Sequence, residues 1–144
     1  MRCWHKDLIP VLPRQQLLGQ WRECCLIAKN IKEKGTPNHL LVNKIMDYPI
    51  EHFWSYGVLV YFEMANRGYK CDYNKFDKWF DKTPIPLVTP RYFEIFEDWH
   101  TDRYMNQCLM NLQEKFDCDG IGIIEYEKII AFQNEWLERF ENGC

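Results

Sequence analysis

The chain of 144 residues lacks most of the signatures that usually announce a chemistry. It has no run of 18 apolar residues, so no membrane partner is expected. Its opening, Met1 to Asp7, has no apolar core of the kind a secretory leader needs. It holds only four histidines, and no two share the His-x-x-x-His spacing of a helical zinc site. Cys3 and His5, with His39, His52 and His100 scattered elsewhere, are therefore not expected to bind a metal. Phosphate loop, dinucleotide fingerprint and serine nucleophile elbow are all missing, and no cofactor is expected. The stretch from Asp117 to Gly122 starts like a calcium loop. Its fifth and twelfth positions, however, where oxygen ligands are required, are Ile121 and Lys128.

Cysteine is plentiful but unpatterned. Seven occur, none in a Cys-x-x-Cys pair, and adjacent Cys24 and Cys25 have poor geometry for a local bridge. Free thiols in a reducing cytoplasm are the expectation. Net positive charge is also missing. At −3 the total argues against a nucleic-acid binder, but its distribution does not. Residues 1–50 carry eight Lys or Arg against four Asp or Glu, whereas residues 101–144 carry four against nine. A basic first third can still face a phosphate backbone, because affinity follows the local patch.

What is present is apolar and aromatic: 47% and 16% of residues, enough for one packed domain. No strand alternation of useful length and no internal repeat occur, so the fold class expected is all-α, a compact helical monomer. Residues 1–13, with Pro10 and Pro13, read as an extended arm laid over the body. A first helix follows from Arg14 to Lys34, with Leu17, Leu18, Trp21, Cys24, Cys25, Ala28 and Ile31 on one stripe and Gly35 as its stop. That stripe puts Glu23 nearly opposite, with Gln16, Gly19 and Gln20 beside it. Thr36-Pro37 reads as the start of a short helix to Asp47 that buries Leu40, Leu41, Ile45 and Met46. The aromatic segment Ile50 to Asn66 reads as the central helix, ended by Arg67-Gly68. A helix over residues 72–82, a proline-rich connector over 83–90, a helix from a Thr101 cap to about Phe116, and a last helix over about 125–140 complete the chain.

One chemical group needs no motif. A protein α-amine has a reference pKa of roughly 7.7–8.0 against about 10.4 for lysine, so at neutral pH far more of it is free base. It is an imine-forming nucleophile wherever a chain delivers it to a site. Arg2 is too bulky for routine methionine removal, so the amine is expected to belong to Met1.

The segment Leu12-Pro-Arg-Gln-Gln-Leu-Leu-Gly-Gln-Trp-Arg-Glu23 resembles the first-helix motif of pyrimidine-dimer DNA glycosylases of the phage endonuclease V type. The opening Met1-Arg-x-Trp4 and the pair Asn38-His39 are similar to bacterial relatives in that family. Glu63 to Tyr69 looks like the end of its second long helix. The resemblance implies a helical enzyme acting on damaged double-stranded DNA. In that family an N-terminal amine attacks C1′ of the lesion's deoxyribose, and the resulting imine permits β-elimination at the abasic site. It implies Met1 as nucleophile and Glu23 as the carboxylate that stabilises the imine and moves protons. Arg2 and Arg22 would hold phosphates or orient the lesion, with Arg14, Gln16, His39 and Lys44 completing the DNA-binding set. Two departures stand out. Leu26 occupies a position where the family has a further arginine, and the C-terminal end is acidic, not basic. A non-catalytic helical interaction module using the acidic last third, and an enzyme of the same fold acting on a modified nucleotide, are the alternatives.

Overall fold

A computed structural model describes residues 1–81 and 88–141. They are helical, with no strand among the described residues. Five α-helices follow in order: α1 (Arg14–Lys34), α2 (Ile50–Asn66), α3 (Asn74–Asp77), α4 (Asp102–Asp117) and α5 (Ile123–Glu141). Short 3-10 segments at Lys6–Val11, Asn43–Asp47 and Tyr92–Glu94 link them.

The long helices start and stop where local chemistry requires. Gly35, at φ 75°, closes α1 in the left-handed region that favours glycine. The Thr101 side chain accepts from the Tyr104 N–H and caps α4. At the far end of α4, Asp119 adopts φ 62° and the Gly120 N–H donates to the Lys115 carbonyl at 2.7 Å. This is the six-to-one bond of a Schellman stop, so the calcium-like residues are a helix terminator. The Phe116 and Tyr126 rings stack 4.1 Å apart and join α4 to α5.

α1 and α2 pack together, and α3 wedges beneath them. A Cβ built on Gly57 of α2 would lie 2.1 Å from the Phe76 ring of α3. Glycine is therefore what lets that ring seat against the helix backbone. Tyr56, Phe53, Phe76 and Phe96, all fully buried, form the aromatic centre.

Several expectations need correction. The arm is not laid over the body but inserted in it: Cys3, Trp4, Leu8, Ile9 and Leu12 are buried, and half of it is a 3-10 helix. Its grip comes from Arg67, just past α2, whose guanidinium donates to the carbonyls of Leu12 (2.8 Å) and Pro10 (3.1 Å) and pairs with Glu63 at 2.9 Å. The short helix expected over 37–47 shrinks to Asn43–Asp47. There Thr36 accepts from the Asn38 N–H, Asn38 takes φ 57°, and the Asn43 side chain accepts from the His39 N–H. These local side-chain bonds compete with helix formation. Leu40, Leu41 and Met46 are consequently exposed, and only Ile45 of that set is buried. The helix expected over 72–82 is only the single turn α3. The connector over 83–90 falls largely outside the described residues. In α5 Ile129 and Trp136 face the core as expected, while Ile130 is exposed.

Candidate active site

The buried face of α1 consists of Leu17, Gln20, Trp21, Cys24, Ile27 and Ala28. It is turned toward Gln20 and Ile27 relative to the expected stripe, and Leu18, Cys25 and Ile31 are only partly buried. That rotation moves Glu23 from the far side of the helix to the flank of the core, where the arm passes.

Gln20 explains the rotation. Its side-chain amide, 1% exposed, accepts from the Trp4 N–H and donates to the Arg2 carbonyl, each at 2.9 Å. One side chain thus imitates a neighbouring strand and satisfies both sides of the arm backbone. The Tyr56 hydroxyl braces the same point, 2.6 Å from the Trp4 carbonyl and 3.1 Å from Gln20 Oε1. Tyr104 donates to the Cys3 carbonyl at 2.5 Å. Further along, the Lys6 N–H donates to His100 Nδ1 and the Lys6 ammonium to the Ile95 carbonyl. Residues 2–6 are therefore bonded to α1, α2, α4 and the segment before α4 at nearly every peptide.

This splint ends at Glu23. Its Oε2 accepts from the Arg2 N–H at 2.9 Å, and its Oε1 lies 3.9 Å from the α-amino nitrogen of Met1. The two groups face a cleft of about 410 Å³ lined also by Arg2, Trp4, Gln16, Gly19, Gln20, His39, Leu41, Asn111 and Lys115. Nothing lies within 4 Å of where a Gly19 side chain would be, so the helix backbone is bare on the cleft side. The Arg2 guanidinium rests over the Trp4 ring at 5.3 Å.

The cleft is polar and incompletely satisfied. Gln16 Oε1, His39 Nδ1 and Asn111 Oδ1 are shielded from water yet have no hydrogen-bond partner, and all three belong to residues lining this one cleft. Buried polar atoms are nearly always paired, and unpaired ones near each other ask for a ligand. Arg2, Lys115 and the terminal amine give the cleft cations against one carboxylate.

Burial sets the thiol chemistry nearby. The Cys3 thiol is pushed far above its ordinary range by burial, and Cys24 likewise; for Cys108, burial outweighs the help of the adjacent Arg2 guanidinium. These sulfurs stay protonated and are packing groups, not nucleophiles. All six described cysteines are free.

Of the residues expected at the site, Met1, Arg2, Gln16, Glu23 and His39 come together in the cleft. Arg22 is exposed on α1 outside the cleft lining, Arg14 lays its guanidinium over Tyr69 with its N–H on Glu125, and Lys44 flanks Asp98 and Trp99 in another depression. Asn111 and Lys115 were not expected. They lie four apart on α4, along the Cys108 edge of the buried stripe Met105, Cys108, Leu109 and Leu112, and that polar spacing is the only sequence signal they leave. Among the described residues no group of three His, Cys, Asp or Glu could hold a metal ion, and no helix is long and apolar enough to cross a membrane.

Comparison with known proteins agrees with the resemblance read from the first helix. The family model for pyrimidine dimer DNA glycosylases matches residues 1–77, which include the arm, α1, the His39 turn and α2. No curated protein and no solved structure matches the chain. The chain belongs to the pyrimidine dimer DNA glycosylase family.

Proposed function

We propose that the protein removes a pyrimidine dimer, or another damaged base, from double-stranded DNA and then cleaves the abasic strand, with the Met1 α-amine as nucleophile and Glu23 as its acid–base partner. The observation that carries this is the 3.9 Å approach of the amine to Glu23 at the end of an arm bonded at nearly every peptide over residues 2–6, in a cleft otherwise open to a ligand.

The chemistry balances with these groups alone. Glu23 Oε1 takes a proton from the amine, freeing the lone pair, while Oε2 stays on the Arg2 N–H and keeps the carboxylate oriented. The amine forms a bond to C1′ as the bond from C1′ to the damaged base breaks, and the departing base takes the proton that Glu23 has just accepted, which restores the carboxylate. The sugar ring then opens as one proton passes from the attached nitrogen to O4′ and the bond from C1′ to O4′ breaks, leaving a cationic imine beside the Glu23 carboxylate. The Glu23 carboxylate then takes a C2′ proton, the freed electron pair forms a double bond to C3′, and the 3′ phosphate leaves. Water releases the sugar fragment and restores the amine. Arg2 and Lys115 supply positive charge for the flanking phosphates, and exposed Arg22 can meet the backbone outside the cleft. The unpaired atoms of Gln16, His39 and Asn111 suit the polar edge of a nucleotide drawn out of the stack.

Incubating the protein with irradiated or abasic duplex DNA and borohydride tests the reading. A covalent adduct on residue 1 is expected, and Glu23→Gln should lower cleavage by roughly 10²–10⁴-fold, the scale of a lost general acid or base. A tag joined to the N-terminal amine should abolish it. Normal cleavage by the tagged protein would overturn the assignment of the amine.

A further inference from the structure

Beside the cleft stands a feature the reaction above does not use. The turn at residues 38–43 is held rigidly from within: the Val42 and Asn43 N–H groups both donate to the His39 carbonyl, at 3.1 and 2.9 Å. The Asn43 carbonyl oxygen of the side chain accepts from the His39 N–H at 3.1 Å, and Val42 and Ile45 anchor the turn in the core. Yet this braced turn shows water two adjacent leucines. Leu40 is 87% exposed and Leu41 52%. Leu41 and His39 line the cleft, so Leu40 stands at its rim.

We propose that Leu40 is a wedge that enters the base stack beside the nucleotide drawn into the cleft. This rests on the damaged-DNA reading of the site. A single exposed leucine is ordinary. A rigid pair beside a polar, cation-bearing cleft is different, because ordering the turn has already removed the entropy that would oppose insertion. Leucine can gain nothing from phosphates. The apolar surface duplex DNA offers is the face of its bases, uncovered when a step is unstacked, and apolar side chains at such steps hold the duplex kinked. Leu41 forms the wall between wedge and cleft, so insertion of Leu40 and extrusion of the nucleotide occur side by side. An extruded nucleotide leaves a gap, and a leucine at the rim fills it and slows return.

The test uses the full chain and two substrates. One is a duplex carrying a site-specific pyrimidine dimer, the other a single strand carrying an abasic site, which has no stack to open. Leu40→Ala is expected to lower the ratio of duplex excision to single-strand cleavage by about 10- to 30-fold, the scale set by losing burial of most of one leucine side chain. Leu40→Met should recover most of it. In parallel, 2-aminopurine is placed next to a stable abasic analogue in duplex DNA, so that unstacking is read without any reaction. Binding of the unaltered protein should raise its fluorescence, and Leu40→Ala should blunt that rise. If the protein cleaves but Leu40→Ala changes neither the ratio nor the fluorescence, the wedge is wrong and the glycosylase reading stands. An equal loss on both substrates would also overturn the wedge. If the unaltered protein neither binds nor cleaves damaged DNA, the functional reading fails first, and the leucine pair is then a contact for another protein.

Discussion

Replacing Gln20 by Met should separate the scaffold of the arm from the chemistry at its tip. Methionine has nearly the same length and fills the same space, so the change removes polarity and little else. The Trp4 N–H and the Arg2 carbonyl both lose their partner, whereas the Tyr56 hydroxyl keeps the Trp4 carbonyl at 2.6 Å. An orphaned buried N–H costs about 1–3 kcal/mol, and the part-exposed Arg2 carbonyl, which water can reach, adds about 1. A loss of roughly 2–4 kcal/mol follows, which at about 4 °C per kcal/mol for a domain of this size lowers Tm by roughly 8–16 °C. Activity should fall further than stability accounts for, because a loosened arm no longer holds the amine against Glu23, and about 1 Å of misplacement can cost 10²-fold. Thermal melting, amide exchange at Trp4 and single-turnover cleavage below the new Tm measure the three effects. A drop under about 4 °C, with Trp4 still protected from exchange, would show that the Gln20 splint does not hold the arm.

Gly57→Ala offers a reversal of sign. In an ordinary helix interior the change stabilises by roughly 0.5–1 kcal/mol, but here the new methyl meets the Phe76 ring at 2.1 Å. Overpacking should cost about 1–3 kcal/mol, read from urea unfolding. Arg67→Met removes the donors to the Leu12 and Pro10 carbonyls. Amide exchange should then quicken across residues 6–12 while α4 and α5 stay protected. Acid should weaken the fold through His5 and His100. Burial lowers the pKa of both, with His5 and Lys6 adding to the effect on His100. The folded chain thus holds them neutral, while the unfolded chain takes up protons below its pKa of about 6.5. Their stabilising effect is complete above that pH and declines as pH falls through and below it. Urea midpoints at pH 7.5 and 5.5 should show the loss, and His100→Gln should shrink it.

The four long helices were readable within two residues, because their apolar pattern and their ends agree: Gly35 and Thr101 mark ends that the structure also marks. The arm was harder. Two prolines hide a 3-10 segment whose period suits neither helix nor strand, and its burial depends on partners up to 101 positions away. The turn after α1 misled for a different reason. Thr36-Pro37 is a helix start only if the following side chains leave the backbone free, and Asn43 does not.

Gln20 is the sharpest case. A glutamine among leucines is assigned to the polar face by any hydropathy rule, yet here it is 1% exposed and part of the buried face. It is buried because the arm gives it two peptide partners, and the arm is seated because Gln20 is there. That reciprocity also bears on Glu23. Its identity came from a short motif, but its position at the flank of the core, within reach of the amine, follows from the rotation that Gln20 imposes on α1. The carboxylate nearest the α-amine is thus placed by a neighbour one turn away. Asn111 and Lys115 extend the same logic. They reach the cleft from a helix beyond the residues 1–77 that the family model matches, so the cleft is walled by both the matched and the unmatched part of the chain.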